Sequence, residues 1–295
     1  MAALRVLISG ASGLIGTELT RQLWAAGHVV TRLIREEPTA ADEVKWDARS
    51  LDPSLLDGID AVINLSGASV GRIPWTPAYR RVLVSSRVEP TSALAEAIVA
   101  AATPPATFLS ASAVGFYGDR PGEELTEESA HGEGFFPDLV QAWEQASAIA
   151  AGTTRVVNMR NAVVIAKSGG MAPVRLLTSI GLGARFSKGT QYWPWIGLAD
   201  EVAAITHLLT SRLSGPVNMA GPTPATSDEV TRAFAEVLHR PYALRLPALA
   251  AKALGEAGER LLLDDAKVLP AKLDADGFRW KEPTIHDAVA AALAG

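Results

Sequence analysis

Gly10, Gly13 and Gly16 fall in the run LRVLISGASGLIGTEL, directly after an apolar strand pattern over Leu4–Ser9 and directly before helical periodicity over Leu14–Ala26. A strand that turns on glycine straight into a helix opens a βαβ unit. It also leaves bare backbone at the positive end of a helix dipole, where a pyrophosphate can lie against amide N–H groups. Three glycines at this spacing also arise by chance, so the strand before and the helix after carry the weight. Ser12, Leu14 and Ile15 complete the backbone set expected at such a pyrophosphate.

The rest of the first half keeps the same alternation. Strand patterns cover residues 29–34, 43–46, 61–65, 107–110 and 155–159, and helical patterns cover residues 77–102 and 138–151. Alternation of this kind implies an α/β fold: a Rossmann-type doubly wound parallel sheet covered on both faces. Ligands in such sheets bind beyond the carboxyl ends of the strands, so the functional loops are expected after Ser9, Ile34, Leu65, Ser110 and Met159. Residues 1–160 are read as the core of the dinucleotide-binding domain. Residues 161–240 are read as Rossmann completion mixed with a substrate region, and residues 241–295 as a C-terminal extension. Within them a Gly-, Pro- and Trp-bearing stretch (168–197) is followed by a helix (199–210) and a short strand (217–219). Thr226 and Glu229 have capping-box spacing for a helix reaching Leu238, and an amphipathic helix closes the chain near 285–293. The extension, with the stretch before it, is expected to form a smaller substrate-covering subdomain.

The end of the second strand discriminates between nucleotides. An acidic residue there holds a ribose 2′-hydroxyl, whereas arginine accommodates a 2′-phosphate. The sequence reads HVVTRLIREEP, and Arg35 lies nearer the strand tip than Arg32, which favours NADP(H) over NAD. The alternative is that both are ordinary surface arginines paired with Glu36 or Glu37. Asp47 is a candidate for the adenine or its ribose, or for a turn cap. Asn64, Leu65, Ser66 and Gly67 follow the fourth strand, where small residues permit close approach of the cofactor. Ser110 and Ala111 at the fifth strand, and Arg160 and Asn161 after the sixth, are placed towards the nicotinamide. Arg185, Lys188, Tyr192, Trp193 and Trp195 crowd a loop expected to face a small-molecule substrate. Basic groups among aromatics suit an anionic, partly flat ligand, although Trp and Tyr are more often simply packed.

Composition narrows the class. The 295-residue chain carries a net charge of −5 and a pI near 5.6, which argues against a nucleic-acid binder. It has no cysteine, so disulfides and thiolate chemistry are excluded. No apolar run reaches the ~20 residues of a membrane span, and the N-terminus runs straight into the first strand, so a cytoplasmic protein without a membrane partner is expected. The five histidines show no paired ligand spacing, and no metal site is expected. Residues 67–71 satisfy Gly-x-Ser-x-Gly, but Pro74 and Pro77 follow at once where a nucleophile elbow needs a helix.

GASGLIG, DAVINLSG and FLSASAVGFYG resemble the extended short-chain dehydrogenases/reductases. Together, SSRV, LVQAWEQA, QYWPWIGLADEV and GPVNMAGP resemble their atypical epimerase-like branch, which carries a small C-terminal extension. The resemblance implies an oxidoreductase of NAD(P) with a Ser or Thr after the fifth strand to polarise substrate, matched here by Ser112. It also implies a Tyr four residues before a Lys for proton transfer. No Tyr-x-x-x-Lys exists in this chain. Aligning Glu144 with the glutamate that follows the pair puts Phe136 and Val140 at those positions, and neither side chain can move a proton. Tyr117, on the same loop as Ser112, is then the nearest phenol available as a proton donor. Arg87 stands where the family has asparagine, placed to neutralise a phosphate or to pair with Glu89. Gly197 replaces an expected histidine. The missing pair keeps a second reading open, a non-catalytic NADP(H)-binding redox-sensing or regulatory module. Oligomeric state is not legible.

Overall fold

The computed structural model describes residues 3–294. The first half builds β1 (Arg5–Ser9), α1 (Leu14–Ala25), β2 (Val29–Ile34), β3 (Glu43–Lys45), β4 (Ala61–Asn64), α2 (Pro77–Ala100), β5 (Thr107–Ala113), β6 (Glu124–Leu125), α3 (Phe135–Ala148) and β7 (Arg155–Asn161). It is followed by β8 (Val163–Ile165), α4 (Ala172–Ser179), β9 (Gly183–Phe186), β10 (Trp195–Gly197), α5 (Leu198–Thr210), β11 (Gly215–Met219) and α6 (Ser227–Val237). The chain ends in β12 (Tyr242–Leu246), α7 (Ala248–Lys252), α8 (Gly255–Leu262), β13 (Lys267–Val268), α9 (Ala271–Ala275) and α10 (Ile285–Ala294).

Seven strands form one parallel sheet in the order β11-β7-β5-β4-β1-β2-β3. The strand alternation explains why both faces are covered. Val6 and Ile8 of β1 face one way, into a core with Leu19 and Leu23 of α1 and Ile205 and Leu208 of α5. Leu7, one residue out of phase, faces the other way, into a core with Leu94 and Ile98 of α2. From β1 the chain runs outward to β2 and β3, and the connection after β3 returns to β4 on the other side of β1; the crevice at that reversal lies above the glycine turn.

Three two-stranded parallel pairs, β8 with β10, β9 with β12 and β6 with β13, tie the second half and the extension to the sheet. The stretch over residues 168–197 is more regular than its glycines and prolines suggest, since it contains α4, β9 and β10. Trp193, Trp195, Val230 and Phe234 form its core together with Val289 of α10. A further cluster joins Trp75, Leu83 of α2 and Val140 of α3 to Ala257 and Leu261 of α8. Thr226 and Glu229 make the reciprocal bonds of a capping box at the start of α6.

Candidate functional site

The three glycines of the first turn have different tasks. Gly10 has a φ of +74°, and a Cβ there would lie 2.6 Å from the Leu65 carbonyl carbon. A Cβ on Gly16 would collide with the Gly10 carbonyl oxygen. Both are therefore required by the fold itself. Gly13 is exposed and has ordinary extended backbone, and a Cβ there would meet only the Gly10 oxygen, at 3.3 Å. It is the N-cap of α1 with no side-chain cap, and no acidic residue stands in the first turn. Ser12 is likewise exposed, and Leu14 and Ile15 are half-buried. The residues present thus leave an open, uncapped and acid-free helix start, which fits a bound diphosphate.

At the end of β2 the two arginines separate. Arg32 is tied to Asp42 and to Glu43 (3.1 Å) and lies over the Trp24 ring. Arg35 is exposed and makes no hydrogen bond or ion pair among the described residues, while Glu37 pairs with Lys45 instead. The pairing of Arg35 with Glu36 or Glu37 weighed from sequence is not formed. Asp47 caps its own turn, accepting from the Arg49 and Ser50 amides at 2.8 and 3.0 Å, which holds its carboxyl below the usual range.

Several expected contacts are corrected by burial. Asn64 is fully buried; its side-chain oxygen accepts from Ser9 Oγ (2.6 Å) and its nitrogen donates to Thr91 Oγ1 (2.7 Å). That bond network knits β1, β4 and α2 and leaves Asn64 nothing to offer a ligand, whereas Leu65 and Ser66 are half-buried and Gly67 is exposed. Arg87 does not meet Glu89, which pairs with Arg49. Its guanidinium is buried against Trp143 and donates to the carbonyls of Leu83 (3.0 Å) and Ala68 (2.9 Å), so it props the loop after β4. With no carboxylate beside it, burial lowers its pKa to about 10.

The two residues expected to catalyse are also closed off. Ser112 is 2% exposed, and its hydroxyl donates to Glu144 Oε1 at 2.7 Å. Tyr117 is fully buried, donates to Asn218 Oδ1 at 2.6 Å and accepts from Arg160 at 3.0 Å. Burial pushes this phenol's pKa up, the opposite of what a proton donor at neutral pH needs. Arg160 completes the network with a bidentate pair to Glu144 (2.8 and 2.9 Å) and a guanidinium 3.5 Å from the Phe116 ring centre. Neither it nor Tyr117 is available to substrate. Ser110 is fully buried and Ala111 nearly so. The Asn161 amide, turned so that both partners are satisfied, donates to Met159 O and Glu201.

A cavity of about 120 Å³ opens at the carboxyl ends of β5 and β7, walled by Val114, Gly115 and Phe136 on one side and Trp193, Arg260 and Asp264 on the other. Phe136 packs on Gly115 so closely that a Cβ there would overlap its ring, and it stacks near Trp75 with centroids 5.7 Å apart. Val140 is fully buried in the same cluster. Of the two positions aligned with the missing Tyr and Lys, Val140 is core and Phe136 is a half-buried wall of the cavity, in a cluster that includes Leu261 of the extension. Of the loop residues expected at substrate, Trp193 lines the cavity and its buried indole N–H has no partner among the described residues. Trp195 is instead core, with its N–H donated to Thr223 O at 3.1 Å. Tyr192 is half-buried and stacks under Lys267, Lys188 is exposed, and Arg185 lies against Gly189.

Sequence reasoning missed Arg260 and Asp264. The available signal was an acidic pair, Asp264 and Asp265, placed directly after the apolar end of a helix, Leu261–Leu263, where a carboxylate is drawn into apolar surroundings. Residues 67–71 form a loop in which Ser69 Oγ accepts from the Gly71 amide, without the strand-to-helix elbow of a hydrolase. Among the described residues no group of His, Cys, Asp and Glu could hold a metal ion, and no helix is long and apolar enough to cross a membrane.

Comparison with known proteins agrees with this geometry. Residues 6–220 match the NAD dependent epimerase/dehydratase family, and residues 246–292 match a domain of unknown function, DUF1731. An epimerase family protein of Mycobacterium bovis is 40% identical, over 98% of this chain and 97% of that protein. Epimerase family protein SDR39U1 of Bos taurus is 35% identical, over 99% and 100%. The crystal structure of human epimerase family protein SDR39U1 (isoform 2), solved with NADPH, superposes with a TM-score of 0.91 at 32% identity and covers 99% of both chains. Likeness that runs from the glycine turn through the extension makes this chain a member of the NAD dependent epimerase/dehydratase family, carrying its DUF1731 segment at the C-terminus.

Proposed function

We propose that the protein is an NADP(H)-dependent oxidoreductase of epimerase-like type, acting on a carbonyl or hydroxyl group of a small substrate. The observation that carries the reading is the pairing of two open features on one crevice. One is Gly13, exposed and extended, which the fold constrains far less than Gly10 and Gly16. The other is Arg35, an exposed guanidinium without a partner among the described residues at the tip of β2. Gly13 with the start of α1 would hold the pyrophosphate, Arg35 the 2′-phosphate, and the loop from Leu65 to Gly67 would run alongside. Arg87 would hold that loop in place through Ala68. When bound, the cofactor supplies or accepts a hydride. NADPH in the human relative supports the same choice here.

The chain's own contribution is to exclude water and position the substrate. Trp193, Phe136 and Val114 give the cavity apolar walls, and Arg260 offers a cation for an anionic substituent. A second reading, a non-catalytic NADP(H)-binding module, is favoured by the burial of Ser112 and Tyr117 and by Phe136 and Val140 at the positions of the proton-transfer pair. Parallel calorimetric titrations with NADPH and NADH test the shared premise. Arg35→Ala is expected to weaken NADPH binding at least about tenfold and to leave NADH binding unchanged, as loss of a charge-assisted phosphate contact requires. Equal losses for both would remove Arg35 from the 2′-phosphate. Oxidation of NADPH in the presence of small carbonyl compounds then separates the enzyme from the binding module.

A further inference from the structure

Catalysis by this chain needs a proton-exchanging group, and the residues that resemblance would nominate are all unusable. Phe136 and Val140 carry no proton, and the hydroxyls of Ser112 and Tyr117 are buried and bonded to Glu144 and Asn218. The cavity at the carboxyl ends of β5 and β7 is lined by three ionisable side chains among the described residues: Glu133, Arg260 and Asp264. Glu133 is exposed, whereas Asp264 is held between the α8 terminus and the cavity with Arg260 Nη1 3.3 Å away. We propose that Asp264, brought to the cavity by the C-terminal extension, exchanges the proton with the substrate oxygen in place of the absent Tyr–Lys pair. The proposal rests on the oxidoreductase reading above for its chemistry and on the cavity geometry for its site.

Two further observations support it. Burial raises the Asp264 pKa to about 6 despite the Arg260 cation, helped by Asp119 and Glu259 nearby, so the carboxyl holds its proton into the range where a general acid works. The ring of Trp193 also lines the cavity, and its indole N–H is buried without an acceptor among the described residues, which leaves an unspent donor beside the site. In the reducing direction a hydride with its electron pair joins the carbonyl carbon, and the π pair moves to oxygen. That oxygen takes the Asp264 proton, leaving a carboxylate beside Arg260 that is reprotonated from solvent. In the oxidising direction the same carboxylate takes the hydroxyl proton as the hydride leaves.

The test uses the full chain with ethyl acetoacetate as a small keto-ester probe. With NADPH, wild-type kcat/KM is expected to fall as pH rises through about 6, and Asp264→Asn to lose at least about tenfold and that pH limb with it. Asp264→Glu should restore part of the rate, while both variants unfold cooperatively and keep the NADPH affinity of wild type. Binding is read separately with NADP+ in place of NADPH, where no hydride moves, by quenching of tryptophan fluorescence. There the keto ester is expected to bind wild type about tenfold more weakly at pH 8 than at pH 5, and Asp264→Asn with no pH dependence. That binding pattern without any NADPH oxidation would remove the oxidoreductase reading and keep Asp264 as the ligand's proton-bearing partner. Reduction by Asp264→Asn indistinguishable from wild type, or wild-type binding that ignores pH or is absent, would overturn the Asp264 assignment.

Discussion

Gly10 and Gly16 are constrained far more severely by their own neighbours than Gly13, whose Cβ would meet only the Gly10 oxygen, and this difference makes Gly13 the informative residue of the turn. A substitution at Gly10 or Gly16 damages the β1–α1 junction and says nothing about ligands. Gly13→Val asks a small shift of the Gly10 carbonyl and keeps φ and ψ values that valine tolerates, yet its side chain would stand where a pyrophosphate approaches. It is expected to unfold within about 3 °C of wild type while abolishing detectable NADPH binding in a calorimetric titration. Unchanged affinity would show that the turn does not touch the cofactor. Arg35 belongs to the same scale: its position at the strand tip was legible because β2 ends at Ile34, where its pattern of apolar residues stops. Asn64 was not legible, because a polar residue at a strand end looks the same in sequence whether it meets ligand or, as here, bonds Ser9 and Thr91.

At the scale of elements, α3 carries the two positions that sequence aligns with the absent proton-transfer pair. Its inner face presents Phe136 and Val140 to Trp75 and Leu261, and one turn further on Glu144 anchors Ser112 of β5 and Arg160 of β7. Arg160 and Glu144 are only 4% and 13% exposed, so each holds the other's charge in a poorly solvated site. Arg160→Leu should therefore cost about 3–5 kcal/mol, the scale for stranding one partner of a buried pair. Ser112→Ala removes one hydrogen bond and should cost about 1 kcal/mol. Urea unfolding of the two variants measures both; equal small losses would mean that solvent reaches the pair. The alternation of strands and helices was readable from periodicity because it is local. Ser112, Glu144 and Arg160 are far apart in sequence, and what brings them together is the pairing of β5 with β7 under α3, which no local pattern announces.

At the scale of the whole molecule, the extension is fastened to the sheet through a group of acids. Asp200, at the start of α5, accepts from the Lys281 and Glu282 amides, and the Glu282 carboxylate occupies the space beside Gly197 that a larger residue would need. That contact gives the glycine at 197 a physical reason, which the expectation of histidine there could not supply. Glu201, next to Asp200, is completely buried with one carboxylate oxygen unpartnered, and burial raises its pKa to about 8; Glu282 is raised to about 7, chiefly by burial and then by Asp200. Acids whose folded pKa exceeds the unfolded one stabilise the fold fully below the unfolded value, and that stabilisation drains away as pH rises through the folded value. Asp264, raised to about 6, acts in the same direction. Stability should thus decline from about pH 5 to pH 8, with Glu201 alone accounting for a loss on the order of a few kcal/mol. Glu201→Gln cannot ionise, so its Tm should be less sensitive to pH over this interval and should exceed that of wild type at pH 8.5. A wild-type Tm that is flat or rises between pH 5 and 8 would mean that Glu201 ionises freely, and that water reaches its side chain beside Asn161 at the end of β7.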